Sequence, residues 1–74
     1  MTDEDEFLDF VASLFGTDRT ALSLATAYGS VPAWDSVMHL RLVMEIEDRY
    51  HADIPMERVP ELKTLGAFYA LIAR

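Results

Sequence analysis

The stretch Ser36–Tyr50 limits the folds open to this chain more than any other. It contains neither glycine nor proline, and it lies between Trp34-Asp35 and a break at Asp53-Ile54-Pro55. Projected at about 100° per residue, Leu40, Val43, Ile46 and Tyr50 share one face, with Leu42 on its flank. The far side carries Val37, Arg41, Met44, Glu45 and Asp48. The pattern predicts an amphipathic helix from about Ser36 to Tyr50 or His51. Arg41 with Glu45, and Glu45 with Arg49, stand four residues apart and are expected to pair, each worth roughly a few tenths of a kcal/mol.

An acid followed by a serine opens this helix. The first turn of a helix has unpaired N–H groups and the positive end of the dipole, so a hydroxyl there reads as a cap or as a point where phosphate is favoured. Asp35, directly before the serine, reads from position alone as a helix cap.

Two further helices and a short turn complete the expected architecture. Phe7, Phe10, Val11 and Leu14 recur at helical steps from Asp3 to about Phe15, with Leu8 and Phe15 widening the stripe. Asp3, Glu4, Asp5 and Glu6 complement the dipole at its start, and Gly16 is the expected C-cap. From about Gly16 to Ala33 runs a long connection rich in turn formers, with Leu22, Leu24, Tyr28 and Val31 as apolar pins and a helical turn near Leu22. Beyond Pro55, Met56 to Val59 suffices for one short helical turn stopped near Pro60, held down by Met56 and Val59. Thr64 is the expected N-cap of a last helix in which Leu65, Phe68, Leu71 and Ile72 repeat on one face. The expected fold is all-α: a small four-helix bundle of three main helices and one short one, with a long loop between the first two. Leu40, Val43, Ile46, Ile54, Val59, Leu62, Phe68 and Leu71 are its expected interior.

Composition narrows function. Residues 1–74 form one small domain, burying roughly 60% of its unfolded surface, with little room for a deep enzyme cleft. The net charge of −7 argues against nucleic acid and for a basic protein partner, and the 51% hydrophobic content argues against a disordered acidic tail. Cysteine is absent, so there is no disulfide and no thiol nucleophile, which suits a reducing, cytoplasmic setting. The acidic start Met1-Thr2-Asp3-Glu4 is unlike a signal peptide, and no apolar run approaches the roughly 20 residues of a membrane span. Glu47 and His51 have the spacing of metal ligands but lack a third, and no metal site is assigned. No Ser-His-Asp set is defensible, because His39 shares one short helix with Ser36 and nothing supplies an oxyanion hole. The expectation is a non-enzyme.

Asp35-Ser36-Val37, followed by Leu40, Leu42, Val43, Ile46, Glu47, Tyr50, Ile54-Pro55, Leu62, Thr64 and Leu65, resembles the acyl carrier protein family. The likeness runs without a gap from the second helix to the C-terminus, and the first helix and long loop fit it in kind. It implies that Ser36 carries a 4′-phosphopantetheine arm. A phosphopantetheinyl transferase would install that arm from coenzyme A with magnesium, Asp35 being the residue shown to the transferase. The arm would supply the thiol this chain lacks. The protein would be a monomer that presents a thioester to acyl- or aminoacyl-loading and acyltransfer enzymes. Val37, Met38, Arg41, Met44, Glu45, Glu47 and Asp48, with Met56 on the short helix, would meet those partners.

Two positions depart from the family pattern. Family members usually carry acids along the exposed side of the second helix, where this chain has Met38 and Arg41. Arg41 would repel enzymes built to meet an acid there, which argues for a dedicated, specialised pathway; the alternative is a harmless surface change offset by Glu45. His39 projects near the core edge one turn after Ser36, where it either meets the arm or cargo, packs against Trp34, or bonds to the long loop. Two other functions stay open: an aminoacyl or peptidyl carrier, and an acidic interaction module that keeps the fold without the arm.

Overall fold

A computed structural model describes residues 3–72; the first two positions of the acidic start, Met1 and Thr2, lie outside the described residues. Three helices, α1 (Glu4–Phe15), α2 (Ser36–Tyr50) and α3 (Leu65–Ile72), are joined by two 3₁₀ segments, Arg19–Ala21 and Met56–Glu61. The all-α bundle is as expected, and the helix boundaries follow from local chemistry. The Asp3 carboxylate accepts from the Asp5 N–H at the start of α1, and Gly16 ends it at φ 70°, the left-handed region that glycine enters without strain. Thr64 Oγ1 accepts from Ala67 N–H at 3.1 Å, capping α3 as expected.

Phe7, Leu8, Val11, Ala12 and Phe15 from α1 meet Leu42, Val43 and Ile46 from α2 and Leu65 and Phe68 from α3 in one core. Leu22, Trp34, Ile54, Val59 and Leu62, from the segments between helices, complete it. In α1, Leu8 and Phe15 are buried while Phe10 and Leu14 are half-buried, so the stripe is rotated from its expected centre. The phase of α2 is also corrected. Leu42 is 0% exposed and central, whereas Leu40 is 50% exposed and faces an open cleft. Leu71 is half-buried at the end of α3.

The long connection is stitched to the start of α3. Tyr28 N–H donates to the Lys63 carbonyl at 2.7 Å, Leu65 N–H to that of Thr26 at 3.0 Å, and Gly66 N–H to that of Leu24 at 2.8 Å. Ala27 and Thr64 form an isolated antiparallel bridge. Within the connection, Ser23 N–H donates to Thr26 Oγ1 and Ala27 N–H to Ser30 Oγ, so its small polar residues hold the backbone that no helix holds. Leu22 is the deep pin, Leu24 and Val31 are half-buried, and the 3₁₀ turn precedes Leu22. Tyr28 is 46% exposed and does not pin the loop through burial.

The second 3₁₀ segment runs through Pro60 to Glu61 rather than stopping before it. Arg58 N–H reaches the Pro55 carbonyl and Leu62 N–H the Val59 carbonyl, so the N–H that proline lacks falls between the bonds that hold the turns. Val59 anchors this segment from the core; Met56, at 75% exposed, does not. Among the described residues no helix is long and apolar enough to cross a membrane.

Candidate functional site

Trp34-Asp35-Ser36 forms the entry to α2, and the capping falls to the acid. Asp35 Oδ1 accepts from Met38 N–H at 2.9 Å, and the Asp35 carbonyl accepts from His39 N–H at 2.8 Å. Ser36 is therefore the first helical residue and not the cap. It is exposed, and its hydroxyl stays free for other chemistry. The N–H groups of Ser36 and Val37 precede the first intrahelical bonds, so this end keeps the partial positive charge that favours an attached phosphate.

Ser36 opens onto a cleft of about 660 Å³ lined by Ala27, Tyr28, Ser36, His39, Leu40, Val59, Pro60, Leu62 and Lys63. Its walls come from the long connection, from α2, and from the second 3₁₀ segment. That explains Leu40: its side chain is apolar because it lines the cleft, not because it packs in the core.

His39 stands at the back of this cleft. Its Nδ1 is 3.0 Å from Trp34 Nε1, and its Nε2 is 3.0 Å from the Val59 carbonyl. The indole N–H can only donate, so Nδ1 accepts; the proton then sits on Nε2, which donates to Val59. The ring stacks on Trp34 with centroids 6.0 Å apart, and meets Tyr28 and Phe68 edge to face at 5.4 and 5.6 Å. Packing against Trp34 is as expected, while the bond goes to the 3₁₀ segment rather than to the long loop. Both ring nitrogens are engaged, which leaves His39 no role as a base toward Ser36.

The expected partner face is only partly assembled. Val37 and Met44 are 75% and 67% exposed, and Arg41 and Asp48 are exposed beside them. Met56 is exposed on the neighbouring 3₁₀ segment. Met38 is instead half-buried, packed against the core. Glu47 is turned away: its Oε2 accepts from Ile54 N–H at 3.0 Å and holds the break after α2. Glu45 is half-buried and pairs with Arg41 at 3.8 Å. Its expected second partner, Arg49, bonds Glu6 of α1 at 3.4 Å and lies 4.7 Å over the Phe10 ring. Among the described residues each arginine is ion-paired, whereas Lys63 at the cleft has no carboxylate partner. At the far end of α2, burial holds the Tyr50 phenol above its ordinary value, against the pull of the Arg49 guanidinium.

Sequence reasoning missed Ala27, Pro60 and Lys63 as cleft residues and gave Tyr28 to the loop's anchorage. The cleft joins segments far apart in the chain, and the one signal for it was an aromatic and a lysine placed where a turn would tolerate any polar residue.

The site residues fit an arm on Ser36: an unengaged hydroxyl, a helix end suited to phosphate, and an apolar cleft beside both. The chain is 30% identical over 69 residues to an acyl carrier protein of Lactobacillus johnsonii, in a match covering 89% of this chain and 86% of that protein. It matches no family model and no solved structure.

Proposed function

We propose that this chain, which belongs to the acyl carrier protein family, holds an acyl group as a thioester on a 4′-phosphopantetheine arm at Ser36 and presents it to other enzymes. The observation that carries the reading is Ser36 itself: relieved of capping by Asp35, exposed, and set at the mouth of an apolar cleft. When attached, the arm would supply the thiol that this cysteine-free chain lacks. Asp35 keeps the first turn of α2 formed and offers its carboxylate beside the serine. The cleft walls Tyr28, Leu40, Val59 and Leu62 shelter apolar cargo from water, which favours burial at roughly 25 cal/mol per Å² covered.

The proposal includes a cytoplasmic monomer of one domain, modified by a phosphopantetheinyl transferase and served by loading and acyltransfer enzymes. These meet Val37, Arg41, Met44 and Asp48 on α2 and Met56 on the 3₁₀ segment. Met38, Glu45 and Glu47 contribute less directly, since each is half-buried. Arg41 points to a dedicated pathway, because a partner that reads this face must accept a cation amid acids.

Intact-mass measurement after incubation with coenzyme A, magnesium and a broad-specificity phosphopantetheinyl transferase tests the reading. Wild type should gain one phosphopantetheine and Ser36→Ala none. A wild type that gains nothing would instead favour an interaction module using the same exposed Val37, Met44 and Met56. A Ser36→Ala protein that is still modified would refute Ser36 as the attachment point.

A further inference from the structure

We propose that His39 decides where bound cargo lies, by walling the cleft off from the aromatic interior and confining an acyl chain to the groove between Tyr28, Leu40, Val59 and Leu62. The inference rests on the carrier reading and goes beyond it to the position and limits of the cargo.

His39 touches both spaces. On one side it lines the cleft with Tyr28 and Leu40. On the other it contacts Trp34 and Phe68, which are 1% and 0% exposed and do not line the cleft. The ring is held from both ends, by the Trp34 indole N–H and by the Val59 carbonyl, each at 3.0 Å. A side chain tied by a single bond could swing aside. This one must give up a buried indole partner and a carbonyl together, and leaving either unsatisfied is costly. The second bond also ties α2 to the 3₁₀ segment, whose other side chains, apart from Val59, are exposed. His39 thus fixes two walls of the cleft at once, the back and one side. An apolar chain meets a closed floor, and lies along the protein instead of entering the space around Trp34 and Phe68. His39 acts here as a positioning residue and takes no part in chemistry.

The test loads wild type, His39→Ala and His39→Gln with decanoyl-pantetheine from the coenzyme A thioester, and intact mass confirms loading. Trp34 is the one tryptophan, so its emission reports on the interior, and NOEs from the decanoyl protons locate the chain. In wild type, emission should be the same with the arm alone and with the loaded chain, and NOEs should reach the cleft walls Tyr28, Leu40, Val59 and Leu62 but neither Trp34 nor Phe68. In His39→Ala, loading should shift Trp34 emission and bring NOEs to Trp34 and Phe68. Glutamine has both an acceptor and a donor, and His39→Gln should restore the wild-type pattern. NOEs to Trp34 or Phe68 in loaded wild type overturn the inference even if the alanine variant does not fold. A folded alanine variant identical to wild type overturns it as well. In both cases the mass gain leaves the carrier reading standing, whereas a wild type that takes no arm removes both.

Discussion

Leu40 and Leu42 show how much one side chain's direction decides. Both are leucines on α2, two residues apart, yet Leu42 is fully buried among three helices and Leu40 borders the cleft. Truncating Leu42 to alanine removes apolar contacts and leaves a cavity in a small core, at a cost of about 2–5 kcal/mol. Leu40→Ala leaves no cavity and should change stability by no more than about 0.5 kcal/mol. Urea denaturation of the two variants checks this. Equal losses would mean that the cleft is closed and that Leu40 packs within it. Leu40→Ala should still weaken retention of a loaded chain, because it removes one wall of the groove.

At the scale of elements, α3 owes its position to a glycine that helix propensity alone would reject. Gly66 stands in the first turn of α3, and its N–H donates to the Leu24 carbonyl at 2.8 Å. A Cβ at this position would meet that same carbonyl oxygen at 2.9 Å. Alanine is the better helix former by about 1 kcal/mol, so propensity predicts that Gly66→Ala stabilises. The contact predicts the reverse, because the oxygen belongs to backbone pinned by the neighbouring Leu65–Thr26 and Tyr28–Lys63 bonds. Overpacking of this kind costs roughly 1–3 kcal/mol, so the net effect should be a loss. A thermal melt with a raised midpoint would show that the connection yields freely and is not fastened to α3.

Across the whole molecule the governing quantity is charge. Thirteen acids against six basic residues give −7, which attracts basic partners at long range and repels acidic ones. Arg41 interrupts this field on the exposed side of α2. Its pairing with Glu45 spans 3.8 Å, and water reaches both charged groups, the side chains being 59% and 40% exposed, so it contributes little to stability. Arg41→Glu should leave the helical spectrum and melting midpoint almost unchanged. It should speed acylation by enzymes of primary fatty acid synthesis and slow transfer to the cognate enzyme, with the contrast shrinking as salt rises. Steady-state rates with both enzymes at two salt concentrations check this, and unchanged rates would make Arg41 neutral to partner choice.

The sequence alone determined whatever depends on near neighbours. Periodicity and capping chemistry placed the helices, since Gly16 and Thr64 act on backbone groups within a few residues of themselves. The Asp35-Ser36 pair at the head of α2 was legible for the same reason, although the division of labour, acid as cap and serine free, needed coordinates. Only the tertiary structure decided the rest. Helical periodicity gives the angle between side chains but not the direction in which the surrounding elements lie, so Leu40 was assigned to the core. Charge spacing offers Arg49 a partner on its own helix, but the packing of α1 against α2 brings Glu6 and the Phe10 ring closer to it. The cleft unites Tyr28, His39, Val59 and Lys63 from three segments, and the Trp34–His39–Val59 bonds cross between them. No local pattern encodes such a meeting, because its geometry exists only once the segments have packed.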